Sequence, residues 1–397
     1  MITQRSLFLN NLAQTSDFPL MLEIEKAEGV WLYGKGGQKY LDFISGIGVS
    51  NIGHRHPKVI QAIKDQADKY LHLMVYGEYI QSPQVLLAEA LVDTLSDIPT
   101  KKDKIDNIYF TNSGTEAVEG AMKLAKRFTG RFEIISCKNA YHGATQGALS
   151  ISGSENFKQN FRPLLPATGL IEFGNLADIK KITNKTAAVF VETVQGEAGL
   201  RTANVHYFKA LEQKCLETGT MLVLDEIQCG FGRTGTFWAF EQYDIYPDVL
   251  LSAKGMGAGM PIGAFMANKK IMSVFKNNPI LGHITTFGGH PVSAAASLAT
   301  VNVILDENLL DSVNLKAERI KFRLQHPKIK AIRNKGLMMA VEFESFEVLK
   351  PIIDRCILKG VITDWFLFCD NSMRIAPPLT ITNEEIDFAC EVIISSI

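Results

Sequence analysis

Residues 107–128 read NIYFTNSGTEAVEGAMKLAKRF. The opening five, Asn107–Thr111, form a short β-branched and aromatic run, and over Thr115–Phe128 apolar side chains recur at Ala117, Val118, Ala121, Met122, Leu124 and Ala125. That spacing is the stripe of an amphipathic helix. A strand that turns within a few residues into a helix is half of a βαβ unit, and the pattern continues along the chain. Apolar runs follow at Phe132–Ser136, Ala187–Glu192, Met221–Asp225, Val249–Ser252 and Ile262–Met266, with a crossover helix at Val205–Thr218. Continuous rather than alternating hydrophobicity marks strands covered on both faces, as in a mostly parallel α/β sheet with right-handed connections.

The chain has 397 residues, 46% of them hydrophobic, enough for a large domain carrying a smaller one. Surface scaling puts its folded area at roughly 15,000 Å². Beyond the strand region the pattern changes to a helix near Leu310–Arg323, a strand at Met338–Phe343, a helix near Glu347–Leu358 and a closing helix from Glu384. The first fifty residues are rich in strands and turns, as at Gly29–Tyr33 and Lys39–Phe43. The expected division is a large domain over 55–305 and a small α+β domain built from both termini, 1–54 and 306–397.

The 41 basic and 42 acidic residues leave a net charge of −1 without long runs of one sign. A nucleic-acid or membrane partner found through bulk charge is therefore not expected. Cys137, Cys215, Cys229, Cys356, Cys369 and Cys390 are scattered, with neither C-x-x-C pairs nor zinc-ligand spacing, so no metal is expected and a reduced, cytoplasmic setting follows. No charged segment leading into an apolar one opens the chain, and no apolar run is long enough to cross a bilayer.

Three short stretches carry chemistry. Asn112-Ser113-Gly114-Thr115-Glu116 places hydroxyls and a glycine where a helix begins, a natural anion cradle, although Ser and Thr there also serve as plain caps. Asp225 ends an apolar strand at the carboxyl edge of the sheet, where ligands of such sheets bind and where loop-capping Asp is also common. Lys254 stands just past the next strand and before Met256-Gly257-Ala258-Gly259-Met260-Pro261, an unusual place for a lysine. A phosphate cradle, an acid for a ring nitrogen and an amine able to condense with an aldehyde are the needs of pyridoxal phosphate chemistry. Gly230–Gly235 meets the G-x-G-x-x-G spacing of dinucleotide sites, but it does not join a strand directly to a helix.

With these residues in place, the chain resembles class III (ω-type) aminotransferases of pyridoxal-phosphate fold type I over nearly its whole length. The landmarks are Gly46–Val49, Gly53-His54, His56-Pro57, Asn112–Glu116, Tyr141-His142-Gly143, Glu192, Gln195-Gly196-Glu197, Asp225–Gln228, Gly230–Gly235, Lys254, Thr285–Gly289 and Arg374 before Pro377-Pro378. The resemblance implies pyridoxal 5′-phosphate as cofactor, with Lys254 its covalent anchor and, once freed, the proton carrier. It makes Asp225 the partner of the ring nitrogen, sets Tyr141 and Ile227 on the two ring faces and brings Gln228 near the phenolic oxygen. Ser113, Gly114 and Thr115 would hold the phosphate, joined by Thr286 reaching across from the other subunit of a homodimer with shared sites. His142 falls within this cofactor pocket by position, but its own neighbours suggest only a turn or packing role, as for His54 and His56.

Glu197 and Arg374 resemble the family's switch pair. Arg374 would grip the α-carboxylate of glutamate or 2-oxoglutarate, and Glu197 would mask it when an amine donor binds; a plain structural ion pair is the alternative. The implied reaction moves the terminal amino group of N-acetylornithine or ornithine to 2-oxoglutarate by ping-pong half-reactions. Alternatives are a putrescine or 4-aminobutyrate aminotransferase, an aminomutase or lyase on the same scaffold, or a non-catalytic binding protein. Departures from the family pattern are Ala144, where ornithine-type enzymes carry an Arg that helps hold the donor's carboxylate; His290, where Asn usually precedes Pro; and the bulky run Thr363–Phe368.

Overall fold

The computed structural model describes residues 3–75 and 77–397. At its centre lie seven strands: β1 (Asn107–Thr111), β2 (Glu133–Cys137), β3 (Thr168–Ile171), β4 (Thr186–Glu192), β5 (Met221–Asp225), β6 (Val249–Ser252) and β7 (Gly263–Ala267). Their order across the sheet is β1-β7-β6-β5-β4-β2-β3. Strands β3, β2, β4, β5 and β6 are mutually parallel, whereas β7 runs against both β6 and β1. The reversal has a simple cause: the link between β6 and β7 is too short for a crossover helix, so the chain can only come back antiparallel. Every residue of β4 to β7 is buried, which is why these segments are almost wholly apolar, with polar residues only at their ends. β3 escaped the sequence reading because it is a short, partly exposed edge strand interrupted by Gly169.

The helix expected after β1 runs Gly114–Thr129, and the crossover helix Val205–Thr218; left-handed Gly130 and Gly219 end them. Three further helices, Pro57–Ala67, Ser82–Ser96 and Pro291–Asp306, pack together beside the sheet. The last is apolar nearly all round, so periodicity could not reveal it.

A second apolar core joins Val30, Leu41 and Phe43 to residues between Val313 and Ile393. Its frame is an antiparallel sheet ordered Ala331–Lys335, Met338–Glu342, Cys369–Ile375, Asp364–Phe366, backed by helices Val313–Arg323, Phe346–Leu358 and Asn383–Ile394. The two ends of the chain meet where Lys39–Asp42 pairs in parallel with Val361–Ile362. Arg233 pins the two cores together. It is fully buried and donates to Asn51 Oδ1 at 2.6 Å, to the Leu337 carbonyl at 3.2 Å and to the Pro377 carbonyl. Burial pulls its pKa down to about 9. The glycines of the 230–235 run serve this seam rather than a nucleotide: a Cβ on Gly232 would meet Leu379 and Leu310 at 2.7 and 2.8 Å. Among the described residues no helix is long and apolar enough to cross a membrane, and the six cysteines are unpaired.

Candidate active site

Successive strand ends deliver the site. Glu192 closes β4 and Asp225 closes β5 directly beside it, while Lys254 follows the end of β6. The Asn112–Thr115 turn follows β1 at the same edge, and Tyr141-His142-Gly143 lies on the loop after β2. Between them opens a cavity of about 480 Å³ that also touches Ile227, Gln228 and Glu197. This is the carboxyl edge at which open α/β sheets bind their ligands.

At the cradle, Ser113 caps the helix, its Oγ accepting from the Glu116 amide at 3.4 Å. Asn112 gives both its backbone and side-chain N–H to Glu116 Oε2, at 2.7 and 2.9 Å, fixing the turn. The amides of Gly114 and Thr115 make no hydrogen bond among the described residues and stand at the positive end of the helix dipole. Glycine is needed at 114 because a Cβ there would sit 2.8 Å from Ile227 Cδ1. Gly143 has φ +126°, and a Cβ on it would run into Thr115. These close approaches hold the helix start, the Tyr141 loop and Ile227 around one space.

Deeper in, His142 Nδ1 lies 2.7 Å from Asp225 Oδ2, and Asp225 Oδ1 accepts from the Ile227 amide at 3.0 Å. The sequence reading placed His142 in the cofactor pocket by position without assigning it chemistry, and the structure sets it against Asp225. The pairing joins residues far apart in the chain, so nothing local announced it. Burial opposes a charge on His142, but Asp225 prevails and its pKa is raised. His142 Nε2 is buried without a partner. Glu192 accepts from the amides of Tyr141 and Gly196, each at 2.9 Å, and burial pushes its carboxyl up to about 7.

Lys254 sits in a left-handed conformation, φ +44°, which costs a non-glycine residue about 1 kcal/mol or more. Its amine makes no hydrogen bond among the described residues. Burial first of all lowers its pKa, with Glu197 acting the other way and Arg374 adding to the lowering. A lysine so placed has an amine readily freed of its proton.

Glu197 lines the cavity and Arg374 lies behind it. Their contact is bidentate, 2.7 Å from Nη1 to Oε1 and 2.9 Å from Nη2 to Oε2, with both side chains buried. Burial works against ionising Glu197, yet the guanidinium prevails and holds the carboxyl at about 2. Gln228 Nε2 and the Leu367 amide add hydrogen bonds to Glu197 at 3.3 and 3.1 Å. Arg374 Nε is also bonded to Asp364 Oδ1 at 2.9 Å, a contact that the sequence reading missed.

Of the departures, Ala144 stands exposed at the cavity rim. His290 caps Pro291–Asp306, accepting from the Val292 amide through Nδ1 at 3.3 Å. The Thr363–Phe368 run divides its aromatics: Phe366 lies under the Arg374 guanidinium, Trp365 packs on Phe18 and Phe346, and Phe368 faces Tyr141. Thr286 does not line the cavity of its own chain; it is exposed, its carbonyl bonded to His72 Nε2 at 2.8 Å.

Residues 12–397 match the family described as Aminotransferase class-III. The chain belongs to that family. An acetylornithine aminotransferase from Clostridium acetobutylicum is 35% identical over 386 residues, covering 94% of this chain and 95% of its own length. The LysW-aminoadipate semialdehyde/glutamate semialdehyde transaminase of Sulfolobus acidocaldarius is 35% identical over 379 residues, 94% of each chain. The ornithine aminotransferase structure from Toxoplasma gondii superposes with a TM-score of 0.90 at 29% identity, covering 98% of this chain and 92% of that one. The mostly parallel sheet with its smaller lobe is thus the fold of pyridoxal-phosphate transaminases, and pyridoxal 5′-phosphate is the cofactor of this class III enzyme. The cavity suits that group: free amides at a helix start for a phosphate, a buried carboxylate for a ring nitrogen and an unbonded lysine amine.

Proposed function

We propose that this class III enzyme transfers the terminal amino group of an ornithine-type amino acid, N-acetylornithine or ornithine, to 2-oxoglutarate, giving an aldehyde and glutamate by ping-pong half-reactions. The observation that carries this reading is the closed Glu197–Arg374 pair in the wall of the cavity that Lys254 enters. A guanidinium masked by a displaceable carboxylate lets one site take an amine donor and then a dicarboxylic acid. The substrates named for the acetylornithine and semialdehyde relatives support the donor class.

When bound, pyridoxal phosphate supplies an aldehyde that condenses with amines and a ring that accepts the electron pair left by a departing proton. In this reading Ser113, Gly114 and Thr115 hold the phosphate by hydroxyl and amide N–H groups. Asp225, oriented by His142, keeps a proton on the ring nitrogen. Tyr141, Ile227 and Gln228, which line the cavity, would hold the ring. Lys254 Nζ would anchor the cofactor and, once released, would carry the proton from the donor's amine-bearing carbon to the cofactor carbon that receives the nitrogen, a role suited to an amine with a lowered pKa.

The same proposal makes the protein a homodimer with Thr286 reaching its neighbour's phosphate, and divides each protomer at 55–305 and 1–54 with 306–397. Support for a dimer comes from the surface. The protomer exposes 17,910 Å² against roughly 15,000 Å² for a monomer of this size. Leu71, Leu73, Ile80, Ile280, Ile284 and Phe287 are exposed on two segments joined through His72, which bonds the Thr286 carbonyl and packs its ring against Phe287. Exposed apolar side chains concentrated on two such segments are characteristic of an interface.

The test is single-turnover absorbance of cofactor-loaded protein mixed separately with N-acetylornithine, ornithine, 4-aminobutyrate, putrescine and glutamate. The ornithine-type donors and glutamate are expected to convert the cofactor. A preference for putrescine would make exposed Ala144 the mark of a diamine pocket, and no reaction with glutamate would sink the aminotransferase reading.

A further inference from the structure

Arg374 is held by two carboxylates, and they arrive from different places. Glu197 comes from the loop after β4, on the central-sheet side, and faces the cavity. Asp364 comes from the strand next to Arg374 and stands directly opposite it in the antiparallel register, so both side chains project from one face of the sheet. Its Oδ1 takes Nε at 2.9 Å, leaving both Nη groups to Glu197. Arg374 has little room to move. The Trp365 carbonyl accepts from Nη2 at 3.2 Å, the Phe366 ring lies 4.5 Å from the guanidinium carbon, and the Arg374 carbonyl takes a hydrogen bond from Thr363 at 2.7 Å. Opening the pair therefore means moving Glu197, with Asp364 left in place.

This has a consequence for charge. With Glu197 turned away, an entering α-carboxylate meets Arg374 and Asp364 together, a guanidinium already balanced by one negative charge, with Asp42 a further acidic neighbour of Asp364. Lys254 is the other cation facing this group. Resting on the reading of Arg374 as the carboxylate grip, we propose that Asp364 is a specificity-determining residue. It keeps the Nη edge of Arg374 aimed at the cavity and, by offsetting its charge, makes the site take carboxylates by bidentate geometry while holding them weakly enough to be exchanged. Without such an offset a dicarboxylate product would linger and the masking carboxylate would return slowly.

Asp364→Asn separates the two parts of this role, because the amide oxygen still accepts from Nε while the charge is gone. Glutarate, a dicarboxylate with no amine to react, is titrated calorimetrically into cofactor-loaded wild type, D364N and Arg374→Gln. Removing a unit charge a guanidinium's width away is expected to tighten glutarate by about tenfold in D364N, and Arg374→Gln is expected to abolish measurable binding. A residue that only braced the strand would weaken binding when altered, the opposite sign. Unchanged or weaker binding in D364N overturns the proposal, while loss of binding in Arg374→Gln keeps the underlying grip intact. Binding by Arg374→Gln equal to wild type overturns both. If D364N fails to load cofactor, Asp364→Ser takes its place, and failure of both makes Asp364 a structural residue and ends the proposal.

Discussion

Glu197→Gln is the most informative single change at the switch. Holding the Glu197 carboxyl at about 2, against 4.5 for a free glutamate, corresponds to about 3 kcal/mol of interaction. The figure lies at the lower end of the roughly 3–5 kcal/mol lost when one partner of a buried pair is removed. The glutamine keeps one acceptor and Asp364 keeps its hold on Nε, so part of this remains. For an amine donor the variant leaves Arg374 unmasked beside the bound molecule, and kcat/KM of that half-reaction should fall between about tenfold and a hundredfold. For glutamate, Glu197 must be displaced in any case, so its half-reaction should be unchanged or faster. Glu197 is a depressed carboxyl; its contribution is complete above 4.5 and is lost only as the pH falls through about 2, so the ratio between wild type and variant should be flat from pH 6 to 9. Rapid mixing with each substrate, followed through the cofactor absorbance, measures both halves separately. Equal losses in the two halves would refute the masking role, as would a loss confined to glutamate.

Lys254→Ala should bind cofactor yet give no conversion with any donor above background, monitored by the same absorbance. Glu192 gives a pH signature of opposite sign: its carboxyl, raised to about 7, keeps its proton when folded, so its contribution is full below 4.5 and is lost as the pH climbs through 7. At most about 3 kcal/mol is involved; urea midpoints at pH 5 and 8 should fall for wild type and less for Glu192→Gln, and parallel midpoints would contradict the assignment. Ile80→Asp alters a side chain 97% exposed in the protomer, so it should leave secondary structure by circular dichroism unchanged while sedimentation velocity shifts towards monomer; an undisturbed dimer would move the interface elsewhere.

How much of this was legible in the sequence depends on how local each feature is. Strands β4 to β6 stood out because burial on both faces demands uninterrupted apolar residues. The Val205–Thr218 helix was bounded to the residue by its apolar stripe and the glycine after it. Lys254 and Asp225 were visible as polar residues at the ends of such strands. What stayed hidden was pairing across the chain: His142 against Asp225, Asp364 against Arg374 through strand register, and Arg233 against Asn51, Leu337 and Pro377. The capping role of the His290 ring nitrogen was equally hidden.

Glu197 and Arg374 grow from different cores, and Arg233 fastens those cores beside them. The cofactor cradle is written in the strand ends between Asn112 and Ile262, whereas the group that sorts acids is written in strands near the C-terminus. A lineage can therefore revise its choice of acid in one stretch of the gene while the catalytic centre is inherited untouched from another, which is one way a single scaffold comes to serve many amines.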